Sequence, residues 1–172
     1  MTAATAPIMT ATYKVGVPMT LTIAQESPLG ADLALLMERH TADMHADTPP
    51  ESIHMMDAGQ LASPGIRFFV MRDGGVPVAM GAFKRISETH AELKSMHVLA
   101  EARGKGLSRA MLDHLVAEAR ADGFARLSLE TGVQPTFVAA RALYAKAGFQ
   151  ECGPFEGYTL DPNSVFMTRT LA

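Results

Sequence analysis

A turn with two glycines, residues 98–109, connects a predicted strand to a predicted helix. Residues 91–98 alternate between apolar and polar, as a strand does, and residues 107–122 have the apolar spacing of an amphipathic helix. A chain that passes from a strand through such a turn leaves backbone N–H groups unpaired at the positive end of the helix dipole. Three basic side chains lie in the turn, Arg103, Lys105 and Arg109. The turn therefore predicts an anion site, and phosphate is the usual anion.

The spacing of this turn excludes two common phosphate loops. A P-loop requires G-x-x-x-x-G-K-[ST], which the chain lacks, and a dinucleotide fingerprint requires G-x-G-x-x-G, whereas position 109 is Arg. The order Arg103-x-x-Gly106-x-Ser108 instead resembles the Gln/Arg-x-x-Gly-x-Gly/Ala motif of the GNAT superfamily of N-acetyltransferases, which holds acetyl-coenzyme A. Ser108 is small, but it departs from that pattern.

A second motif resembles the same family. Residues 140–149, A-R-A-L-Y-A-K-A-G-F, are similar to the late GNAT helix A-x-x-L-Y-x-x-x-G-F. Gly148 has the position of a helix C-cap, and Phe149 begins a strand. Phe137 stands where many members have Asn, so one polar contact to the cofactor is in doubt. The resemblance covers about residues 65–170 and is to a bacterial group whose acceptors are poorly defined.

The periodicity of the remaining chain predicts a mixed sheet with helices on its faces, an α/β (α+β) fold. Three consecutive strands are followed by alternating strands and helices. The predicted strands cover 19–24, 66–71, 76–86, 90–98, 125–130, 149–152 and 165–170, and the predicted helices cover 29–45, 106–122 and 135–147. Residues 51–61 are predicted to form a loop or a short helix. The resemblance implies the GNAT fold, a mostly antiparallel central sheet that splays between two strands where the cofactor enters.

Composition limits the function classes. The net charge of −3 argues against nucleic-acid binding, which usually requires a basic excess. Cys152 is the only cysteine, so no intramolecular disulfide forms, which is consistent with a reducing compartment. The sequence has no run of about 20 apolar residues, so no membrane span is predicted. We expect a soluble cytoplasmic protein with a flexible N-terminal arm, residues 1–16, and a single acetyltransferase domain, residues 17–172.

The resemblance implies that acetyl passes by direct attack from acetyl-coenzyme A, the cosubstrate, to a primary amine. It also implies that Tyr144, near the coenzyme sulfur, donates the proton to the leaving thiolate. Because an amine is mostly protonated at neutral pH, a base or ordered water must remove its proton. Glu92 and Glu130 are the candidate bases, although either could be a salt-bridged structural carboxylate. The expected cofactor-binding residues are Met96, His97, Val98, Arg103, Gly104, Lys105, Gly106, Leu107, Ser108, Arg109 and Tyr144.

The acceptor side is less constrained by the sequence. Strand alternation places the His97 side chain on the face opposite Glu92, Lys94 and Met96, which argues against a catalytic role for His97. Lys84, Arg85 and Lys94 could bind a carboxylate, which favours an amino-acid-like acceptor, whereas the net charge of −3 favours a cationic one. The expected acceptor contacts are Ser52, His54, Lys94, Tyr158 and Asn163. No metal is expected, because the spacing of His40 and His45 does not place two imidazoles on one helix face.

Three functions remain open from the sequence. The first is acetylation of a small-molecule amine, the second is acetylation of a protein or peptide, and the third is binding of coenzyme A without catalysis. The expected partners are acetyl-coenzyme A and a small amine, with no nucleic acid and no membrane. The resemblance allows a homodimer formed through the final strands.

Overall fold

The computed structural model describes residues 9–11 and 18–171. Eight strands in this part of the chain form one sheet in the order β1-β2-β3-β4-β5-β6-β8-β7. The strands are β1 (Met9–Ala11), β2 (Met19–Gln25), β3 (Ile66–Asp73), β4 (Val76–Arg85), β5 (His90–Val98), β6 (Arg126–Gly132), β7 (Gln150–Cys152) and β8 (Ser164–Thr170). The helices are α1 (Ala34–Asp47), α2 (Ala58–Leu61), α3 (Leu107–Ala121) and α4 (Val138–Lys146). Short 3-10 turns precede α1, α2, α3 and α4 at Ala31–Leu33, Pro50–Ser52, Ala100–Ala102 and Pro135–Phe137.

Every predicted strand and helix is present, and most ends differ from the prediction by three residues or fewer. The exception is α1, which begins five residues later than predicted, after a 3-10 turn at Ala31–Leu33. Residues 9–11, within the predicted arm, form a strand that pairs with β2. The rest of that predicted arm lies outside the described residues. Of the final strands, β7 lies at the edge of the sheet and β8 lies inside it. No helix in the described part of the chain is long and apolar enough to cross a membrane.

The sheet is antiparallel except between β5 and β6, and these two strands separate. Their parallel pairing begins at His90 with Arg126 and ends at Glu92 with Ser128. Beyond this point β5 continues to Val98 and β6 continues to Gly132 without pairing to each other. The predicted splay of a mostly antiparallel sheet is therefore confirmed. The separation leaves one backbone edge of β5 unpaired with β6.

A β-bulge lies in β5 beside the gap. Met80 of β4 pairs with His97, and Ala82 pairs with Lys94, so Gly81 alone faces two residues of β5. One of these, Ser95, has a left-handed backbone with φ 55°. A bulge bends its strand and increases its twist. The bulge also changes which side chains share a face of the sheet beyond it.

Helices cover both faces of the sheet. A Cβ added at Gly81 would lie 2.7 Å from Leu115 Cδ1, so this face packs against α3. Met80 and Ala82 alternate with Gly81 and point to the other face. His97, the partner of Met80, packs there on His40 of α1 with ring centroids 5.4 Å apart. The gap between β5 and β6 thus opens between two layers of helices.

Candidate active site

Two neighbouring cavities occupy the gap. The inner cavity, about 120 Å³, lies between residues 92–96 of β5 and residues 129–132 of β6. The turn cavity, about 450 Å³, lies beside residues 103–109. Six residues line both cavities: His40, Met44, Met96, Phe137, Ala140 and Tyr144. The two cavities therefore adjoin within the splayed sheet, and together they are called the channel below.

The turn cavity has the backbone of an anion site. Gly104 and Gly106 both have φ 77°, a left-handed conformation that glycine adopts without strain. Gly106 is the N-cap of α3, no side chain caps this helix, and its first turn holds no acidic residue. The first N–H groups of α3 therefore remain free of side-chain partners at the positive end of the helix dipole. This arrangement suits a phosphate group.

The structure brings all but one of the expected cofactor-binding residues to the turn cavity. Lys105 lies away from it and lines a separate groove beside the first residues of β4. The sequence also missed two contributions from helices, because nothing in the local pattern shows which helix face meets the turn. The missed residues are His40, Asp43 and Met44 from α1 and Thr136, Ala139, Ala140 and Leu143 from α4 and its entry turn.

Two basic side chains of the turn, Arg103 and Arg109, already have acidic partners. Arg103 Nη2 donates to Asp43 Oδ2 at 2.8 Å, and Arg103 Nε donates to the Val98 carbonyl at 3.0 Å. Arg109 Nε donates to both carboxylate oxygens of Asp113, at 2.8 and 3.0 Å. Arg103 thus holds the turn against β5 and α1. The positive potential at the turn therefore comes more from backbone N–H groups, and less from basic side chains, than the sequence suggested.

The predicted orientation of His97 relative to Glu92 and Lys94 is wrong, whereas Met96 does lie on the opposite face, beside Gly81. Because Met80 and Ala82 share a face, their partners His97 and Lys94 also share one. The bulge at residues 95–96 reverses the alternation that places His97 opposite Lys94. The His97 side chain is buried, burial lowers the pKa of His97, and its Nε2 has no hydrogen-bond partner in the described part of the chain. Burial also lowers the pKa of His40 to about 4, so His40 is neutral at pH 7.

A hydrogen-bonded cluster of Glu92, Lys94 and Tyr158 lies beside the inner cavity. Glu92, which is 5% exposed, accepts at Oε1 from the Tyr158 hydroxyl at 2.5 Å and from Lys94 Nζ at 3.3 Å. Lys94 Nζ also donates to the Tyr158 hydroxyl oxygen at 3.1 Å and to the His54 carbonyl at 3.0 Å. Glu92 is thus a salt-bridged carboxylate, the alternative that the sequence left open.

The other acidic candidate has a different environment. Glu130 lines the inner cavity, and burial raises the pKa of its carboxyl above the ordinary value. Tyr144 is 9% exposed, and its hydroxyl lies 3.9 Å from Met96 Sδ, a weak acceptor. Burial, with a smaller contribution from the charge of Glu130, raises the pKa of Tyr144 to about 12. Tyr144 therefore keeps its proton across the neutral range.

The end of α4 fixes the position of Tyr144. Gly148 has φ 87°, and its N–H donates to the Ala145 carbonyl at 3.0 Å. The Phe149 N–H donates to the Tyr144 carbonyl at 3.0 Å, and the two rings pack edge to face with centroids 5.9 Å apart. These two hydrogen bonds and the apolar contact form a Schellman motif. The predicted glycine C-cap is therefore present, and it holds the tyrosine against the next strand.

Phe137 forms an apolar wall where the family pattern has Asn. It lines both cavities. A Cβ added at Gly132 would lie 2.5 Å from its ring, so the glycine at the end of β6 makes room for this ring. The sequence identified the departure at Phe137, but not the glycine that accommodates it.

Two of the five expected acceptor contacts, His54 and Lys94, line the inner cavity. The other three lie behind it. Asn163 Nδ2 donates to Ser52 Oγ at 3.2 Å, which joins the loop before α2 to the loop before β8. The rings of Tyr158 and His54 pack edge to face with centroids 5.1 Å apart. These contacts close one side of the inner cavity. Among the described residues, no group of three or more His, Cys, Asp and Glu could hold a metal ion.

Comparison with known proteins agrees with this geometry. Residues 34–149 match the sequence model of the Acetyltransferase (GNAT) family. The chain is 42% identical over 142 residues to the uncharacterized N-acetyltransferase YsnE of Bacillus subtilis (strain 168), covering 83% of this chain and 94% of that protein. It is 43% identical over 156 residues to the IAA acetyltransferase of Azospirillum brasilense, covering 88% of this chain and 98% of that protein.

A solved structure has the same fold. The crystal structure of PaiA N-acetyltransferase from Thermoplasma acidophilum, in complex with coenzyme A, matches with a TM-score of 0.70 at 16% identity, covering 88% of this chain and 99% of that one. At this identity the likeness concerns the fold alone. The family match and the two relatives carry the assignment further. The chain belongs to the Acetyltransferase (GNAT) family and is an acetyl-CoA-dependent acetyltransferase.

Proposed function

We propose that this protein acetylates the primary amine of a small molecule, with Tyr144 as the proton donor and Glu130 as the base. The observation that carries the proposal is the position of Tyr144, which lines both the turn cavity and the inner cavity. A protonated hydroxyl there lies between the anion site at the turn and the half-buried carboxyl of Glu130 on β6. Acid and base are thus available on the two sides of one channel.

The turn cavity supports binding of the coenzyme. Gly104, Gly106 and the first N–H groups of α3 would hold the phosphates, because no side chain of the protein caps these groups. The backbone of residues 96–98 would hydrogen-bond the pantetheine arm, since β5 has no pairing with β6 beyond Glu92. Once bound, acetyl-CoA supplies an acetyl group activated as a thioester.

The environment of Tyr144 supports its role as the acid. Burial raises the pKa of Tyr144 to about 12, so the hydroxyl is protonated across the neutral range. Its neighbour in the structure is the thioether of Met96, which is a weak hydrogen-bond partner. The hydroxyl is therefore free to donate to a stronger acceptor, such as a departing thiolate.

Two contrasts favour Glu130 over Glu92 as the base. Glu92 Oε1 already accepts hydrogen bonds from Tyr158 and Lys94, so taking up a further proton would disrupt this cluster. Burial raises the pKa of Glu130 toward the working range, where a general base is most effective. Glu92 then acts as the anchor of Lys94 and Tyr158. Ordered water is the alternative route for the proton.

The closed acceptor side supports a small molecule as the acceptor. The bond between Asn163 and Ser52 joins the two loops that cover this side, and Lys94 bonds to residues in both. A peptide acetyltransferase requires an open groove. Acetylation of a peptide panel without activity on free amines would contradict the proposal.

Replacing Tyr144 by Phe tests the acid. We expect kcat to fall about 100-fold, because general acid catalysis contributes about that much or more, with the KM for acetyl-CoA nearly unchanged. Tyr158→Phe is the matched control, since it also removes one tyrosine hydroxyl near the inner cavity, and we expect it to lose less. Stopped assays of thiol release measure both. Full activity in Tyr144→Phe would overturn the role of the acid.

A further inference from the structure

We infer that the acceptor is a primary amine with no carboxylate beside the reacting nitrogen, an alkylamine or arylalkylamine rather than an amino acid. This inference rests on the proposed function and concerns the charges around the inner cavity. It departs from the amino-acid-like acceptor that Lys84, Arg85 and Lys94 suggested in the sequence.

The ammonium of Lys94 has no proton left for a ligand. An ammonium group has three N–H donors. Lys94 Nζ has three acceptors within the chain, the His54 carbonyl at 3.0 Å, the Tyr158 hydroxyl oxygen at 3.1 Å and Glu92 Oε1 at 3.3 Å. Its side chain is 13% exposed, so water does not replace a lost partner readily. Binding a substrate carboxylate would require breaking one of these contacts.

The other two cations proposed from the sequence do not line the inner cavity. The Arg85 guanidinium stacks on the ring of Phe124, 4.6 Å from its centroid, on the α3 side of the sheet. Lys84 is exposed and is not among the residues that line the cavity. Among the described residues that do line it, Lys94 is the single Lys or Arg.

The remaining charge in the inner cavity is negative. Glu92 balances Lys94, which leaves the carboxyl of Glu130 without an ion-pair partner among the described residues. Burial disfavours its ionised form, so an incoming cation would stabilise this carboxylate and an incoming anion would oppose it. His40, on the opposite wall, is neutral at pH 7. The cavity therefore attracts an ammonium ion and repels a carboxylate.

Matched amine series test this inference. Each series keeps one side chain and varies the group beside the nitrogen: methylamine, glycinamide and glycine; 3-methylbutylamine, leucinamide and leucine; phenethylamine, phenylalaninamide and phenylalanine. The full-length protein is assayed for thiol release at saturating acetyl-CoA. We expect the carboxylate to lower kcat/KM at least tenfold relative to both the amine and the amide in each series that is turned over. The amide separates the effect of charge from the effect of size.

The variant Glu130→Gln provides a second readout. The variant lacks the proposed base for the amine and for the matching amino acid alike. This loss therefore cancels in the ratio of their two kcat/KM values. We expect the ratio of amine to amino acid to fall severalfold, because the repelling carboxylate is gone. A purely structural role of Glu130 would leave the ratio unchanged.

The outcomes separate the inference from the proposed function. Preference for the amino acids in these series, with activity that depends on Tyr144, would overturn the inference and leave the proposed function intact. No turnover of any free amine, although acetyl-CoA raises the melting temperature, would overturn both.

Discussion

Burial raises the pKa of both Tyr144 and Glu130 and so favours the protonated form of each, but the two side chains work in different forms. It raises the pKa of the phenol to about 12, which only strengthens its hold on a proton that it already has. It raises the pKa of the Glu130 carboxyl, whose ionised form is the one needed to accept a proton. The first group is stable in its working form, and the second is held in its working form at a cost in stability.

Glu130→Gln is therefore expected to lose activity and gain stability. Below its raised pKa the carboxyl is protonated and cannot act as a base, so the wild-type rate should rise with pH through that pKa, and the variant should lack this limb. We expect kcat about 100-fold lower. A raised folded-state pKa contributes stability at low pH that is lost as pH rises through it. The variant should thus melt higher than wild type at pH 8, with a smaller difference at pH 4.

Glu92→Gln is the matched control for this prediction. The same chemical change removes the ion-pair partner of Lys94 and leaves that ammonium half-buried without compensation. We expect a lower melting temperature at pH 8, opposite in sign to Glu130→Gln. Equal changes of the same sign in both variants would contradict the distinction between a structural and a catalytic carboxylate.

At the scale of the element, the turn before α3 needs a glycine both for its left-handed backbone and for the close approach of a ligand. Gly104 and Gly123 lie beyond the two ends of this helix, with φ 77° and 87°, and a Cβ at either meets no atom within 4 Å. An alanine at either position therefore adds left-handed strain and no clash within the chain. The two positions differ in place, since Gly104 lines the turn cavity and Gly123 follows the far end of the helix.

The pair Gly104→Ala and Gly123→Ala separates strain from binding. We expect each to destabilise the fold by about 1 kcal/mol, the cost of a left-handed alanine. Only Gly104→Ala should weaken acetyl-CoA binding, by tenfold or more, because its new methyl group stands where the phosphates approach. Urea unfolding measures the first effect and titration calorimetry the second. Equal acetyl-CoA affinity in the two variants would exclude the turn as the phosphate site.

At the scale of the whole molecule, one channel joins elements that are distant in the chain. The splay of β5 from β6 opens it, α1 lines one side and α4 the other, and the Thr136 hydroxyl bonds to Asp47 where these two helices approach. A ligand in this channel contacts several elements at once. Its binding free energy therefore adds to the stability of the native state as a whole.

Thermal denaturation measures this coupling. Acetyl-CoA at about 100 times its Kd should stabilise the protein by about 2.7 kcal/mol. For a chain of this size, that corresponds to a rise in Tm of about 5–10 °C. Coenzyme A should act similarly, whereas NAD and ATP at the same concentration should shift Tm much less. A comparable shift with NAD or ATP would mean that the turn binds phosphates without selecting the coenzyme.

The sequence by itself determined the elements, the glycine turn before α3, the C-cap after Tyr144 and the family. These features depend on local periods and on turn chemistry, and residues close in the chain are enough to specify them. The sequence also brought Tyr144 and Glu130 forward as candidates, although it could not separate Glu130 from Glu92.

Only the tertiary structure decided which of these residues face one another. The bulge at residues 95–96 depends on pairing with β4, and it turned His97 to the face of Lys94. Two of the three partners of Lys94 are 40 and 64 positions away in the chain, and one partner of Arg103 is 60 positions away. Charge balance and burial at the site arise from these long-range contacts. Local sequence patterns carry no information about such contacts, because packing of the whole sheet and its helices creates them.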